Sequence, residues 1–414
     1  MLTNLRNALM SGKRLPYDAE VEYLESTGTQ WFDTGFKASG GCIVEYKFKQ
    51  GILTDRGYLF GSHNPPNNSA NDWNRNQSGI LSNIYSVFNK CEKMKNIYMG
   101  NINTSNFHVI KFDTRQTLLR GWFDASLVVD DITTGVLDPV SNIVGFYSPY
   151  YQNIAKGSLA WAKIWDVNGF LVRDLIPVRV GTVGYMYDRV SGKLFGNAGT
   201  GDFVLGPDVV PVEYLQGVLG GYVDTGIKSL NTISADISFG VVNPTHDSTR
   251  GIGVLLCGNG TTWAFNSYTI FFQNTLNQPD YKSLSSHGRN NILVQTPQNS
   301  FDCNVGVSCD GTSTATVTTT YNRTTTSRSI SISAIDGTKN FTLLWNRLLD
   351  DNTVITRLKS AEFISGGATI AKFVPVRVGT EGAMMDVLTR RIYRNAGTGA
   401  FTYGNDLKYP IPAS

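Results

Sequence analysis

Between Gly41 and Lys49, Val44, Tyr46 and Phe48 alternate with Ile43, Glu45, Lys47 and Lys49. A period of two with one apolar face predicts an antiparallel strand buried on one side. The pattern returns at an offset of 191, where Ala235, Ile237 and Phe239 share one face and Ser234, Asp236 and Ser238 the other. Ile330, Ile332 and Ala334, alternating with Ser329, Ser331 and Ser333, predict another strand. Asp188 to Phe195 reads as a hairpin whose turn is Ser191-Gly192. The Thr-rich stretch from Thr312 to Ser327 reads as a polar strand pair, because Thr suits strands. Helical periodicity is confined to the N-terminus. There Leu2, Leu5 and Leu9 form a narrow apolar stripe beside Arg6, predicting a short helix over residues 1–15 that ends at Ser11-Gly12 and Pro16. Helices this short are marginal alone. The arm is expected either to pack on its own domain or to dock on a partner or trimer mate.

The chain says the same thing twice. Val21-Glu22-Tyr23-Leu24, Asp33-Thr34-Gly35 and Lys37 return as Val212-Glu213-Tyr214-Leu215, Asp224-Thr225-Gly226 and Lys228, all at an offset of 191. Pro177-Val178-Arg179-Val180-Gly181-Thr182 and Asn197-Ala198-Gly199-Thr200-Gly201 return at an offset of 198 as Pro375 to Thr380 and Asn395 to Gly399. A repeat this long exceeds solenoid or propeller units, so each copy is expected to be a domain with its own core. The predicted division is an arm over 1–17, sandwiches over 18–206 and 207–408, and a tail over 409–414. Two prolines between Leu205 and Pro211 predict a short, stiff linker.

Composition supports many strands and turns: 42 Gly, 19 Tyr and 21 Phe with only 17% charged residues. A net charge of +3 argues against the basic footprint of a nucleic-acid binder. Five cysteines, none paired at equivalent places in the two copies, argue against a disulfide framework or a zinc site and for buried free thiols. No secretion signal and no long apolar run are visible, so folding in a cytoplasm without membrane insertion is expected.

VEYLESTGTQWFDTGF from Val21, with KIWD from Lys163 and the segment from Pro177 to Phe203, resembles concanavalin-A-like (laminin-G-like) jelly-roll domains. Such domains occur in phage and prophage structural proteins and in surface proteins of gut bacteria. The resemblance covers nearly all of copy one and the two ends of copy two, where Ala361-Glu362-Phe363-Ile364 replaces KIWD. It implies an all-β fold of two tandem concanavalin-A-like jelly-roll β-sandwiches behind a short N-terminal helical arm. It also implies glycan or surface-polymer binding. With no export signal, the expected setting is a bacteriophage virion, released by lysis. The expected role is a non-enzymatic tail or head fibre, receptor-binding or decoration subunit that is a homo-oligomer such as a trimer and contacts other virion proteins or a host-surface glycan. A bacterial polysaccharide-binding lectin-like protein and a glycan-degrading enzyme are the alternatives.

Candidate chemistry follows from residue type. Aromatic faces stack on sugar rings while amides and guanidinium groups supply directional hydrogen bonds. The polar loop from Asn64 to Asn76 holds Trp73, Asn74 and Arg75, and Trp263 occupies a comparable loop in copy two. A second aromatic loop holds Tyr147, Tyr150 and Tyr151. Leu2, Leu5, Arg6 and Leu9 are the candidate docking residues. Glu20, Glu22 and Glu25 come nearest to a glycosidase carboxylate set, but copy two keeps only Glu213 there. The four histidines are scattered. No cofactor is expected. Calcium, which laminin-G-like domains can hold, needs several converging oxygens. The repeated Asp-Thr-Gly is better read as an Asp bonding its own backbone. Asn197–Gly201 resembles a phosphate cradle only superficially, since no helix follows it; a turn served by Gly at positive φ is the expected reading.

Overall fold

A computed structural model describes residues 15–50, 57–62, 76–82, 85–90, 93–98, 105–133, 141–148, 153–242, 252–258, 269–274, 282–286, 290–291, 300–309, 311, 314–321, 323–331, 337–344 and 355–407. Among these residues every regular element is a strand. The helix expected over 1–15 lies, but for Leu15, outside the described residues, together with Leu2, Leu5, Arg6 and Leu9; residues 15–17 are irregular.

The chain forms two compact units that divide between Asp208 and Val209. In the first, one antiparallel sheet runs Ser126–Ile132, Leu118–Phe123, His108–Asp113, Ile43–Gln50, Gly157–Trp165, Leu171–Val180, Val183–Asp188, Lys193–Phe195. Facing it lie Phe32–Asp33, Val144–Gly145, Gly57–Ser62, Asn76–Ser82, Tyr85–Lys90 and Lys93–Tyr98. The second unit repeats the plan. Thr324–Ser331, Thr314–Tyr321, Ser300–Cys309, Ile233–Val242, Ile355–Ser365, Ala368–Val378 and Glu381–Asp386 form one sheet. Val223–Lys228, Asn340–Leu343, Ile252–Cys257 and Thr269–Asn274 belong to the other. The predicted alternation at Ile43 and Ala235 and the polar Thr pair are thus strands. Residues 332–336 lie outside the described part.

The apolar faces meet between the sheets. Tyr46 and Phe48 pack with Phe32 and Phe60, and the Tyr46 and Phe60 rings lie 4.7 Å apart. In the second unit Ile237 and Phe239 pack with Leu256, Phe341 and Phe363. Early and late strands are neighbours: Leu24–Ser26 pairs with both Gly157–Trp165 and Val204–Leu205, and Leu215–Gln216 with Ile355–Ser365 and Thr402–Tyr403. The fold is therefore all-β, two tandem jelly-roll sandwiches of the concanavalin-A-like kind. The stretch read as a stiff linker is strand at both ends, with Gly206 and Pro207 between. Val204–Leu205 belongs to the first sheet system, and Val209 to Pro211 pair with Val376 to Val378 in the second unit.

The repeated motifs hold these closures. Asn197 Oδ1 accepts the backbone N–H of Trp31 at 3.1 Å and of Gly199 at 2.9 Å, and its Nδ2 donates to the Gly201 carbonyl. Asn395 does the same for Tyr222, Gly397 and Gly399. The expected positive φ belongs to Gly201 and Gly399. The middle glycine answers a different need: a Cβ on Gly199 would stand 2.0 Å from the Thr29 carbonyl oxygen, and one on Gly397 2.0 Å from that of Gly220. Arg179 and Arg377 grip the end of each unit through paired bonds to Asp208 (2.8 and 2.7 Å) and Asp406 (2.7 and 2.6 Å). Planar two-bond pairing of this kind fixes geometry as well as charge. Asp208 is thereby tied to the first unit.

The repeated aspartates are backbone anchors. Asp33 and Asp224 accept the N–H of Gly35 and Gly226 at 2.7 and 2.9 Å, as the sequence predicts, and take Asn142 and Asn340 as second partners. Buried Asp188 accepts from the backbone of Asp174 and Val190 and from the Ser191 hydroxyl; Asp386 has the same partners at Lys372, Leu388 and Thr389. Cys42 and Cys303 are buried free thiols, and Cys309 is a half-buried one.

Two outcomes follow. Gly199→Ala and Gly397→Ala should each lower the stability of their own unit by about 1–3 kcal/mol, the usual cost of overpacking, measured by urea unfolding. Burial pushes the Cys303 thiol up to about 12. At pH 8 it stays a thiol, so iodoacetamide should leave it unlabelled in the folded chain and label it in urea, read by peptide mass mapping.

Candidate functional site

Of the predicted binding residues, Trp73, Asn74, Arg75, Tyr150, Tyr151 and Trp263 lie outside the described residues. Tyr147 is described. Its loop splits in two: Phe146, at φ 64°, turns into the core against Phe32 and Phe203, while half-buried Tyr147 stacks on Trp31 at 5.1 Å. A non-glycine residue at positive φ is uncommon. Here the backbone is held on both sides, with the Phe146 N–H donating to Leu59 and its carbonyl accepting from Ala155. Trp31 is itself fixed by Asn197, so Tyr147 belongs to an aromatic pair at the closure of the first unit.

Two of the glycosidase-like acids have side-chain partners. Glu20 is buried and accepts from the Tyr17 hydroxyl at 3.4 Å; Glu25 accepts from Ser158 at 3.0 Å. Among the described residues no group of three or more His, Cys, Asp or Glu is placed to hold a metal ion.

The outward face of the first unit's larger sheet carries chemistry that the motifs did not announce. Cross-strand register sets Lys163, Glu45, Lys111 and Trp122 in one row. Trp165 stands beside Ile43 in the next row. Lys111 Nζ lies 5.5 Å from the Trp122 ring, 5.9 Å from the Trp165 ring and 3.9 Å from Glu45 Oε2. Nearby, Lys49 lies over Tyr23 and Phe107, and Lys47 over Phe107. Burial, then the charges of Glu25 and Glu22, hold the Tyr23 phenol above its ordinary value, so it stays a neutral hydroxyl at neutral pH. The result is a half-buried, aromatic and basic surface. The sequence signal was present: KIW at Lys163 and LLRGWF at Leu118 both alternate, which places Trp122 and Trp165 on the outward face.

The second unit bears different residues in the same rows. Glu362, Asp236, Gly306, Thr318 and Ser327 follow one another across the sheet. Ile364 stands beside Ser234, where the first unit has Trp165 beside Ile43. This face holds an open groove of about 770 Å3, lined by Ser234, Asp236, Gly306, Ser308, Thr318 and Ile364 among others. Glu362 is paired with Lys372 at 3.1 Å and accepts from Thr369, and the Thr369 bond chiefly holds its carboxyl below the ordinary value. Asp236 is pushed the other way, first by burial and then by the charge of Glu362.

No family model matches the chain, and no curated protein matches it. Among solved structures it is similar to the mouse laminin alpha1 chain domains LG4-5, with 9% identity, a TM-score of 0.31 and coverage of 86% of this chain and 93% of that one. It is also similar to the LG1-3 region of the laminin alpha2 chain, with 11% identity, a TM-score of 0.28 and coverage of 86% and 65%.

Lys111→Ala should destabilise the first unit by about 1 kcal/mol, chiefly through its two lost aromatic contacts, since a partly exposed ion pair adds little. Thermal unfolding of the full chain at low and high salt checks this. A loss that vanishes in salt would assign the effect to the Glu45 pair instead.

Proposed function

We propose that this chain is a non-enzymatic binding protein whose sandwiches present their outward sheet faces to glycan or protein, and that it serves as a structural subunit of a bacteriophage virion. One observation carries the binding part. The side-chain devices that recur in both units hold the fold: Asn197 and Asn395, like Asp188 and Asp386, bind backbone, and Arg179 and Arg377 pair with Asp208 and Asp406. What differs between the units is the chemistry of the outward rows. Duplicated scaffolds with divergent surfaces suit display of two recognition faces; function lies in such faces rather than in the fold.

The first unit's face is the better glycan surface. Trp122 and Trp165 offer flat apolar area, and Lys47, Lys49 and Lys111 place ammonium groups beside it, a combination that suits an acidic polysaccharide. The Trp31–Tyr147 pair and the polar loop of Trp73, Asn74 and Arg75 are further candidate contacts. The virion setting rests on the resemblance of nearly all of copy one and the two ends of copy two to jelly rolls of phage structural proteins, which gut-bacterial surface proteins share. Residues 1–15 are the proposed anchor to other virion proteins.

Electron microscopy of the particle that co-purifies with the chain tests the setting: density for these sandwiches on a capsid or tail supports it, and a chain that is always recovered free of particles overturns it. Binding is tested separately with purified host-surface polysaccharide. Trp122→Ala and Trp165→Ala should each weaken it roughly tenfold, about 1.4 kcal/mol, as removal of an aromatic anchor does. Unchanged affinity in both variants would move the site off this face.

A further inference from the structure

We propose that Arg357, on the outward face of the second unit, is a docking point for a carboxylate side chain of a partner protein. The proposal rests on the reading of the outward faces as binding surfaces, but not on the virion setting.

The tyrosine of each Val-Glu-Tyr-Leu motif carries a cation, and the two units supply it differently. In the first unit Lys49 Nζ lies 5.2 Å from the centre of the Tyr23 ring; in the second the Arg357 guanidinium carbon lies 4.2 Å from that of Tyr214. The rings are set alike. Gly206 and Gly404 donate to the Tyr23 and Tyr214 carbonyls at 2.9 and 3.0 Å, and a Cβ on either glycine would come within 2.9 and 2.8 Å of the ring. The register around them is shared as well. Lys49, Ser158 and Glu25 form one row, and Gly240, Arg357 and Gln216 form the matching one. The first row balances a lysine against an acid. The second holds an arginine and no acid. Glu213, the acid of the second motif, accepts from Asn405, and Asp302, which follows Gly240 in the row, is paired with Lys359.

The guanidinium is held at one side and open at its end. Its Nε donates to Gln216 Oε1 at 3.0 Å and the group lies over Tyr214, while Nη1 and Nη2 have no hydrogen-bond or ion-pair partner among the described residues. Elsewhere the chain shows what such a group takes. Arg377 grips Asp406 through two bonds of 2.7 and 2.6 Å, and Arg115, Arg120, Arg179 and Arg394 each bond a carboxylate. A planar guanidinium end matches two carboxylate oxygens, and one fixed in advance loses less freedom on pairing. With Arg357 over it and Gly404 against it, the Tyr214 ring serves to hold the cation rather than to stack on a sugar. That favours an aspartate or glutamate over the acid group of a glycan.

The test uses the full chain at low salt with an end-capped hexaglutamate peptide, and end-capped hexaglutamine as control. Calorimetry reads the affinity and the Arg357 Nε–H resonance reads the site. The expected result is binding of hexaglutamate alone, with a shift of that resonance. Arg357→Lys keeps the charge but loses the planar end, and should weaken binding about tenfold, as loss of one hydrogen bond to a charged group does. Arg357→Gln should abolish it. Each variant is checked by circular dichroism and urea unfolding, and the resonance in the unaltered chain decides the matter where a variant does not fold. An unmoved Arg357 resonance, equal binding by Arg357→Gln, or polygalacturonate that shifts this resonance at lower concentration than the peptide would each overturn the proposal. Trp122→Ala should leave peptide binding unchanged while it weakens the first unit's polysaccharide binding, so failure here leaves that reading standing.

Discussion

Closing a sandwich requires that strands far apart in the sequence be brought together, and in both units one carboxamide completes that closure. Asn197 reaches back 166 residues to the N–H of Trp31, and Asn395 reaches back 173 to Tyr222. The contact is backbone to backbone as well: Ala198 and Thr200 donate to the carbonyls of Trp31 and Thr29, and Ala396 and Thr398 to those of Tyr222 and Gly220. Two main chains can approach this closely only where a Cβ is missing, which is why Gly199 and Gly397 stand between them. The same rule acts one layer deeper. Leu24 and Leu215, buried at the early strand, fit because Gly184 and Gly382 leave room; a Cβ there would come within 2.6 and 2.7 Å of the leucines. The sheets then pack their apolar faces around a framework whose ends are already fixed.

This closure explains what could be read from the sequence. The blocks that recur are those the closure needs: the early Leu24 and Leu215, the arginines of the Pro-Val-Arg-Val-Gly segments, and the Asn-Ala-Gly-Thr-Gly turns. Alternation at Val44, Tyr46 and Phe48 gave strand and face together, because burial on one side imposes a period of two. The pairing of Arg179 with Asp208 was legible at the shared offset of 198, which also relates Arg377 to Asp406. The aspartates lie outside the longer identical block. Their role depends on register rather than on any local pattern, and register is fixed only when the last strand has been placed.

The outward surface was harder to read, and for a physical reason. Motif reasoning looks for aromatic residues among amides in loops, such as Trp73. It passes over a tryptophan in a strand, although shared parity with a charged residue, Arg120 for Trp122 and Lys163 for Trp165, marks the outward face. Trp122 and Trp165 become a surface only when Lys111 from the neighbouring strand is set between them. Cross-strand rows assemble residues that no one segment contains. Tyr147 illustrates the converse: its loop looked uniform in the sequence, yet the positive φ of Phe146 turns one ring inward and leaves the next on Trp31.

The divergence of the two outward faces has a consistent direction. A row that holds its own lysine satisfies its carboxylate internally, as Lys111 and Glu45 do at 3.9 Å, and shows aromatic area to the outside. In the second unit Glu362, Asp236, Gly306 and Thr318 stand where the first has Lys163, Glu45, Lys111 and Trp122, so an acid lies at the shared central place while neither lysine has a counterpart. One scaffold thus carries a basic, aromatic outward face in the first unit and an acidic face of small side chains in the second, and in both it is the cross-strand register that assembles the face.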